Sequence, residues 1–202
     1  MFFKQIKYRG DNFSYIIADD KSREAAVIDP SFNVEAIILM LKNENLKLKY
    51  IINTHGHMDH TAGNNELKRS FPSKIIAHKL STSGQDINVV DNENLKLDGL
   101  TIHFIHTPGH TRDSMCILVD GKLMTGDTLF VGECGRTDLP GSSPKDMYMS
   151  LQKLAKLDGN IEVYPGHDYG ESPSSTIAKE RQTNYTLQPR TLEEFIRFMQ
   201  TP

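Results

Sequence analysis

Three of the chain's eight histidines fall within six residues, in the run Thr54-His55-Gly56-His57-Met58-Asp59-His60. Neutral imidazoles and carboxylates are the ligands that zinc, iron and manganese accept. Gly56 lets the backbone bend so that the first two rings can converge. The run follows residues 49–53, whose Tyr50-Ile51-Ile52 centre reads as a buried strand. A helix N-terminus with solvated histidines is the alternative, and the density of histidine argues against it. Three more segments share the form of a strand running into a polar turn: Thr107-Pro108-Gly109-His110-Thr111, Thr125-Gly126-Asp127-Thr128 and Tyr164-Pro165-Gly166-His167-Asp168-Tyr169. Each puts one His or Asp directly after a glycine, at a strand end where active-site loops collect. Singly these are ordinary turns; with the first cluster they make a candidate metal centre.

The elements that must position these residues are legible in outline. Short strands are expected over the first thirty residues, with breaks at Arg9-Gly10-Asp11 and Asp19-Asp20 and an end at Asp29-Pro30. Val34, Ile37, Ile38 and Leu41 have the spacing of an amphipathic helix. A polar-faced helix is expected from the histidine cluster to Phe71-Pro72, then a strand over 74–77. Residues 81–94 are polar and show no clear period. Strands are expected over 100–106 and 115–119, with Asp120-Gly121 as a two-residue hairpin turn into 122–124. Ser143-Pro144-Lys145-Asp146 opens a helix through Lys156 with serine as cap and proline in the first turn. A strand over 161–164 stops at Pro165-Gly166. Helices follow around 174–184 and after the capping box Thr191-Leu192-Glu193-Glu194. Strands in two groups, each followed by helices, suit an α/β protein of layered sheets.

Composition limits the rest. The chain has 202 residues, 38% of them hydrophobic and 24% charged, enough apolar material for a sizeable core and so not a disordered chain. We read residues 1–202 as a single domain. No apolar run approaches the roughly 20 residues of a membrane span, and a net charge of −3 supplies no basic field for nucleic acid. Two cysteines and an N-terminus without a signal-peptide core lead us to expect a cytoplasmic protein.

The series His-x-His-x-Asp-His, His110, Asp127, His167 resembles the metallo-β-lactamase superfamily in order and spacing across residues 12–170. The resemblance implies a four-layer αββα sandwich with metal at one edge of the paired sheets. It also implies that His55, His57 and His110 hold one divalent ion and Asp59, His60 and His167 a second, with Asp127 bridging them. Zinc, or zinc mixed with iron, is the expected pair. Such a pair brings the pKa of a shared water toward neutrality and stabilises an oxyanion, so no serine or cysteine nucleophile is needed. Asp59 and Asp127 are the expected catalytic carboxylates.

Within the superfamily, β-lactamases usually lack the histidine standing here as His60, and flavodiiron oxygen reductases carry Glu at the position of His57. The chain is most similar to the glyoxalase II-like branch, which includes thioester hydrolases and persulfide dioxygenases. Cys134-Gly135-Arg136-Thr137-Asp138 and His167-Asp168-Tyr169 resemble the dioxygenases, in which one ferrous ion would sit on His55, His110 and Asp127 and the other ligands are retained without filling a second site, so the metal set favours neither reading. Asn184-Tyr185-Thr186-Leu187 departs from the Asn-Pro-Arg-Leu run of many of them. The resemblance therefore leans to a hydrolase of a small thioester, with the dioxygenase as runner-up. A lactonase and a non-catalytic metal-binding protein are the remaining alternatives. Arg136 is expected to bind a substrate carboxylate or to pin its loop to Asp138, and Tyr169 to line the pocket or to pack behind a ligand. Cys116, Cys134, His78, His103 and His106 read as structural.

Overall fold

A computed structural model describes residues 1–8, 10–32 and 34–200. Two six-stranded sheets each keep chain order from one edge to the other. The first contains β1 (Phe2–Lys7), β2 (Phe13–Ala18), β3 (Glu24–Ile28), β4 (Lys47–Ile52), β5 (Lys74–His78) and β6 (Ile87–Val89). The second contains β7 (Asn94–Leu97), β8 (Leu100–His106), β9 (Met115–Val119), β10 (Lys122–Gly126), β11 (Glu162–Pro165) and β12 (Ser175–Thr176). Both sheets are mixed: β3 to β6 run parallel, as do β10 and β11, and the other pairs are antiparallel.

Period-two alternation decides which side chain enters which layer. In β2, Phe13, Tyr15 and Ile17 point between the sheets, where they meet Phe104, Ile117, Met124 and Tyr164 of the second sheet. The intervening Ile16 and Ala18 point outward and pack under α1 (Glu35–Asn43) and α3 (Asn64–Ser70) through Ile37, Leu41 and Leu67. On the other side, Cys116, Leu123 and Val163 pack under α4 (Pro144–Leu154), α5 (Ile177–Thr183) and α6 (Leu192–Gln200). Three apolar layers between four layers of structure make the αββα sandwich. A register shift opposite Ala25 and Ala26 puts Leu48 and Ile51 of β4 on the same outer face, although they are three residues apart.

The local signals behave as their chemistry requires. Asp120 and Gly121 both have positive φ, at 48° and 76°, and join β9 to β10. Ser143 caps α4 by accepting from the Asp146 amide at 3.2 Å, with Pro144 in the first turn. The Thr191 amide donates to Glu194 Oε2 at 2.7 Å and the Glu194 amide to Thr191 Oγ1 at 3.3 Å, a complete capping box at α6.

Three expectations are corrected. The helix after the histidine cluster is two short ones, α2 (Met58–Thr61) and α3, because Gly63 packs against the Pro30–Ser31 backbone. A Cβ there would lie 2.2 Å from Val34 Cγ1 and 2.8 Å from the Ser31 carbonyl oxygen. The featureless stretch 81–94 contains β6, a three-residue strand too short and too mixed in burial to show a period. The helix around 174–184 starts only at Ile177, because Ser175 and Thr176 first pair with β11. Arg9 of the first expected break, and Thr201 and Pro202 at the end of the expected domain, lie outside the described residues. Among the described residues no helix is long and apolar enough to cross a membrane.

Phe104 is 1% exposed between the two sheets. Phe104→Ala is expected to lower unfolding free energy by about 3–5 kcal/mol, read from the midpoint of urea denaturation at unchanged slope.

Candidate metal centre

The loops that follow β4, β8, β10 and β11 bring all seven expected ligands to one place. His57 Nδ1 lies 3.0 Å from both His55 Nε2 and His110 Nε2. A second group forms where His60 Nε2 comes within 3.2 Å of His167 Nε2. Asp59 Oδ2 is 3.5 Å from the first of these nitrogens and 3.4 Å from the second. Asp127 stands between the groups. Its Oδ1 is 3.4 Å from His60 Nε2, and its Oδ2 is 3.5 Å from His110 Nε2 and 3.3 Å from His167 Nε2. Donor atoms within 4.8 Å of one another define three sets: His55, His57 and His110; His55, His60 and Asp127; Asp59, His60 and His167.

What turns these rings inward is the set of partners on their outer nitrogens. Asp29, buried at the end of β3 with φ +50°, accepts from the Thr54 amide at 2.7 Å and the Thr54 hydroxyl at 2.6 Å. It also lies 3.0 Å from His60 Nδ1. The Thr54 hydroxyl spends its hydrogen on Asp29, so at 3.1 Å it must accept from His55 Nδ1. One carboxylate thus fixes two ligand rings, one directly and one through a hydroxyl. The Arg136 carbonyl takes His110 Nδ1 at 3.0 Å, and Asp11 Oδ1 takes His167 Nδ1 at 3.2 Å. Asn53 donates to the His60 carbonyl at 3.0 Å and exchanges hydrogen bonds with Asn64, which sets α2.

These contacts leave Nε2 of His55 and His110 as lone-pair donors facing His57 Nδ1, and Nε2 of His60 facing that of His167. Lone pairs 3.0–3.2 Å apart repel unless a proton or a cation lies between them. Asp127 Oδ1 adds a buried acceptor with no hydrogen-bond partner. An all-nitrogen-and-carboxylate donor set of this kind fits divalent zinc, iron or manganese.

The electrostatics agree. Burial, with the neighbouring histidines, holds His55 well below the ordinary imidazole range and lowers His57. Burial opposes charge on His60 too, but Asp127, Asp29 and Asp59 outweigh it and push the ring up to about 9. Burial alone would raise Asp127; His60, His167 and His55 instead hold it far below the carboxylate range. Without metal, then, the centre keeps an ionised Asp127 beside a protonated His60.

A cleft of about 230 Å³ opens onto the centre, lined by His110, Asp127, Phe130, Glu133, Cys134, Arg136 and Tyr169. Tyr169 stacks on His167 at 4.9 Å and 5° and meets Phe130 edge-on at 5.1 Å. It therefore packs behind a ligand and lines the cleft at once. Burial pushes its hydroxyl up to about 12, so it stays a neutral donor. The Arg136 guanidinium is engaged by Asp138 through two bonds of 2.6 Å, on a side chain 62% exposed. Burial pushes the Cys134 and Cys116 thiols up to about 12, which leaves both unreactive. His78 stacks on His106 at 3.9 Å, and His103 bonds Asn94 at 2.8 Å, both away from the ligand set. Asp168 pairs with Lys7 at 2.5 Å.

Sequence reasoning missed Asp29, Thr54, Asp11 and Asn12. The available signals were an Asp-Pro stop directly after a buried strand and a hydroxyl directly before the first ligand; neither is specific alone.

The Metallo-beta-lactamase superfamily profile matches residues 8–84 and 81–167. The chain belongs to the metallo-β-lactamase superfamily. A probable hydroxyacylglutathione hydrolase of Schizosaccharomyces pombe is 36% identical over 181 residues, covering 86% of this chain and 70% of that protein. The mitochondrial persulfide dioxygenase ETHE1 of Mus musculus is 33% identical over 195 residues, covering 93% and 75%. Among solved structures, ETHE1 from Myxococcus xanthus superposes with a TM-score of 0.95 at 30% identity, covering 100% of this chain and 91% of that one. With its ligand clusters, the chain is a metal-dependent enzyme of that superfamily.

Two outcomes are expected. Asp29→Ala should reduce metal retained after dialysis to below half the wild-type content, whereas Asp138→Ala should leave it unchanged, as measured by plasma mass spectrometry. His60 holds a proton up to about 9 in the metal-free protein, and metal must displace it. Apparent zinc affinity in a chelator competition should therefore climb about tenfold per pH unit toward pH 9 and level off above.

Proposed function

We propose that the chain is a hydrolase of small thioesters working with two divalent ions. The observation that carries this reading is the second donor set. Asp59, His60 and His167 converge with donor atoms 3.2–3.5 Å apart, and the outer nitrogens of both rings are held by carboxylates. Two ions would use both donor groups, whereas one ion on His55, His110 and Asp127 would leave the second set as retained but unfilled ligands. By this reading Asp127 spans the two positions, its two oxygens facing different histidines, and zinc, or zinc with iron, occupies them.

Bound divalent ions would acidify a water and polarise the acyl oxygen. The chain's own groups do the rest. Asp59, held by the Asn12 side-chain amide at 3.0 Å, orients the attacking water. Asp127, ionised across the working pH range, balances the cationic charge without taking up the proton. The neutral Tyr169 hydroxyl at the cleft mouth donates to the acyl or carrier end of the substrate. Arg136, paired with Asp138 through Nε and Nη2, keeps its Nη1 donors for a substrate carboxylate. Thioester and water give a carboxylic acid and a free thiol. The names of the relatives, a hydroxyacylglutathione hydrolase and a persulfide dioxygenase, support a thiol-derived small molecule as substrate.

The likeness to ETHE1 in structure favours a second reading, a mononuclear iron dioxygenase of a persulfide with His55, His110 and Asp127 as the iron ligands. The two part on metal count. Protein purified anaerobically without added metal should carry near two equivalents per chain, and His57→Ala or Asp59→Ala should cut kcat/KM for acyl-thioester hydrolysis by at least about a hundredfold. One equivalent of iron with oxygen uptake on a persulfide would sink the hydrolase.

A further inference from the structure

Asp29, with Thr54, holds a ligand of each metal position, His60 and His55, but a separate part of the chain holds two ligands of the second position alone. His55 and His110, of the first, donate their outer hydrogen bonds to the Thr54 hydroxyl and the Arg136 carbonyl. Two ligands of the second, Asp59 and His167, are both held by the turn between β1 and β2. Asn12 Nδ2 donates to Asp59 Oδ2 at 3.0 Å and to the Asp59 carbonyl at 3.4 Å. Its neighbour Asp11 accepts from His167 Nδ1 at 3.2 Å. The same turn pairs with the backbone of the loop that carries His167: Asn12 forms an isolated antiparallel bridge with His167, the Phe13 amide donates to the Gly166 carbonyl at 2.8 Å, and the Asp168 amide donates to the Asp11 carbonyl at 2.7 Å. Lys7, at the end of β1, closes the contact by pairing with Asp168.

These contacts cross the seam between the sheets. Asp59 belongs to α2, which follows β4 of the first sheet, and His167 to the loop after β11 of the second, so neither sheet alone fixes their separation. The β1–β2 turn touches both. No contact described for it reaches His55, His57 or His110.

We infer that Asp11 and Asn12 are positioning residues that set the occupancy of the second metal position, leaving the first independent of them. Asn12 offers Asp59 a donor, which keeps the carboxylate turned toward His60 and His167 instead of solvent. Asp11 fixes the tautomer of His167, so that Nε2 carries the lone pair. Metal number in this chain is thus governed by a turn that contributes no ligand. The inference rests on the two-metal reading given above.

Zinc titration of metal-stripped protein against a chromophoric chelator, with stoichiometry checked by plasma mass spectrometry, separates the two ideas. Wild-type protein should bind two zinc ions. Asn12→Ala and, independently, Asp11→Ala should weaken the second step about tenfold to a hundredfold and leave the first within twofold. Asp11→Asn keeps an acceptor for His167 and should restore most of the second step. Thermal unfolding by circular dichroism identifies any variant that fails to fold; Asp11 is half exposed, so its replacement serves if Asn12→Ala does not fold. Two unweakened steps in both variants, or equal loss of both steps in a folded one, overturn the inference alone. One zinc on the wild type overturns the two-metal reading and the inference with it.

Discussion

A buried carboxylate, Asp29, carries the shape of the first ligand loop. It receives two hydrogen bonds from Thr54 and faces the outer nitrogen of His60. A buried charge persists only where hydrogen bonds replace its water, and here those bonds come from the loop that must be fixed. The cost of burying Asp29 and the order of the loop are therefore one interaction. Gly63 extends the same constraint, since its amide donates to the Pro30 carbonyl just beyond Asp29. The close approach of those backbones ends α2 after one turn and leaves His60 pointing inward.

Around that anchor the sandwich acts as a frame. The layer between the sheets is apolar from Phe13 through Tyr164, and it gives way at one edge to the donor cluster. Polar groups at this edge are nearly all matched outward, by Thr54, Asp29, Asp11, Asn12 and the Arg136 carbonyl, and left unmatched inward. That asymmetry is the chemical signature of the site. It converts histidines, which elsewhere in this chain stack or bond locally as His78 and His103 do, into convergent donors.

Much of this was legible in the sequence, for physical reasons that differ by element. Ser143, Thr191 and Asp120-Gly121 signalled their caps and turn because those signals are local hydrogen-bond and φ requirements. The seven donors were visible because histidine is scarce and a glycine preceded four of them. Asp29 escaped because its role depends on a contact across 31 residues with His60. Asn12 escaped because an Asp-Asn pair in a turn has a sufficient local explanation already. The split between α2 and α3 was hidden for the same reason, as Gly63 answers to Ser31 and Val34 and not to its own helix. Arg136 could be read two ways in the sequence, and its observed contact with Asp138 depends on the course of a loop that no periodicity encodes.

The distribution of the donors along the chain also bears on its synthesis. The first set is complete once His110 has been made, but the second needs His167, and His167 is fixed by Asp11 near the start. A growing chain can therefore assemble one half of the centre well before the other. The second group closes only when the β1–β2 hairpin meets the loop after β11. Convergence of that second group thus reports that the two sheets have docked.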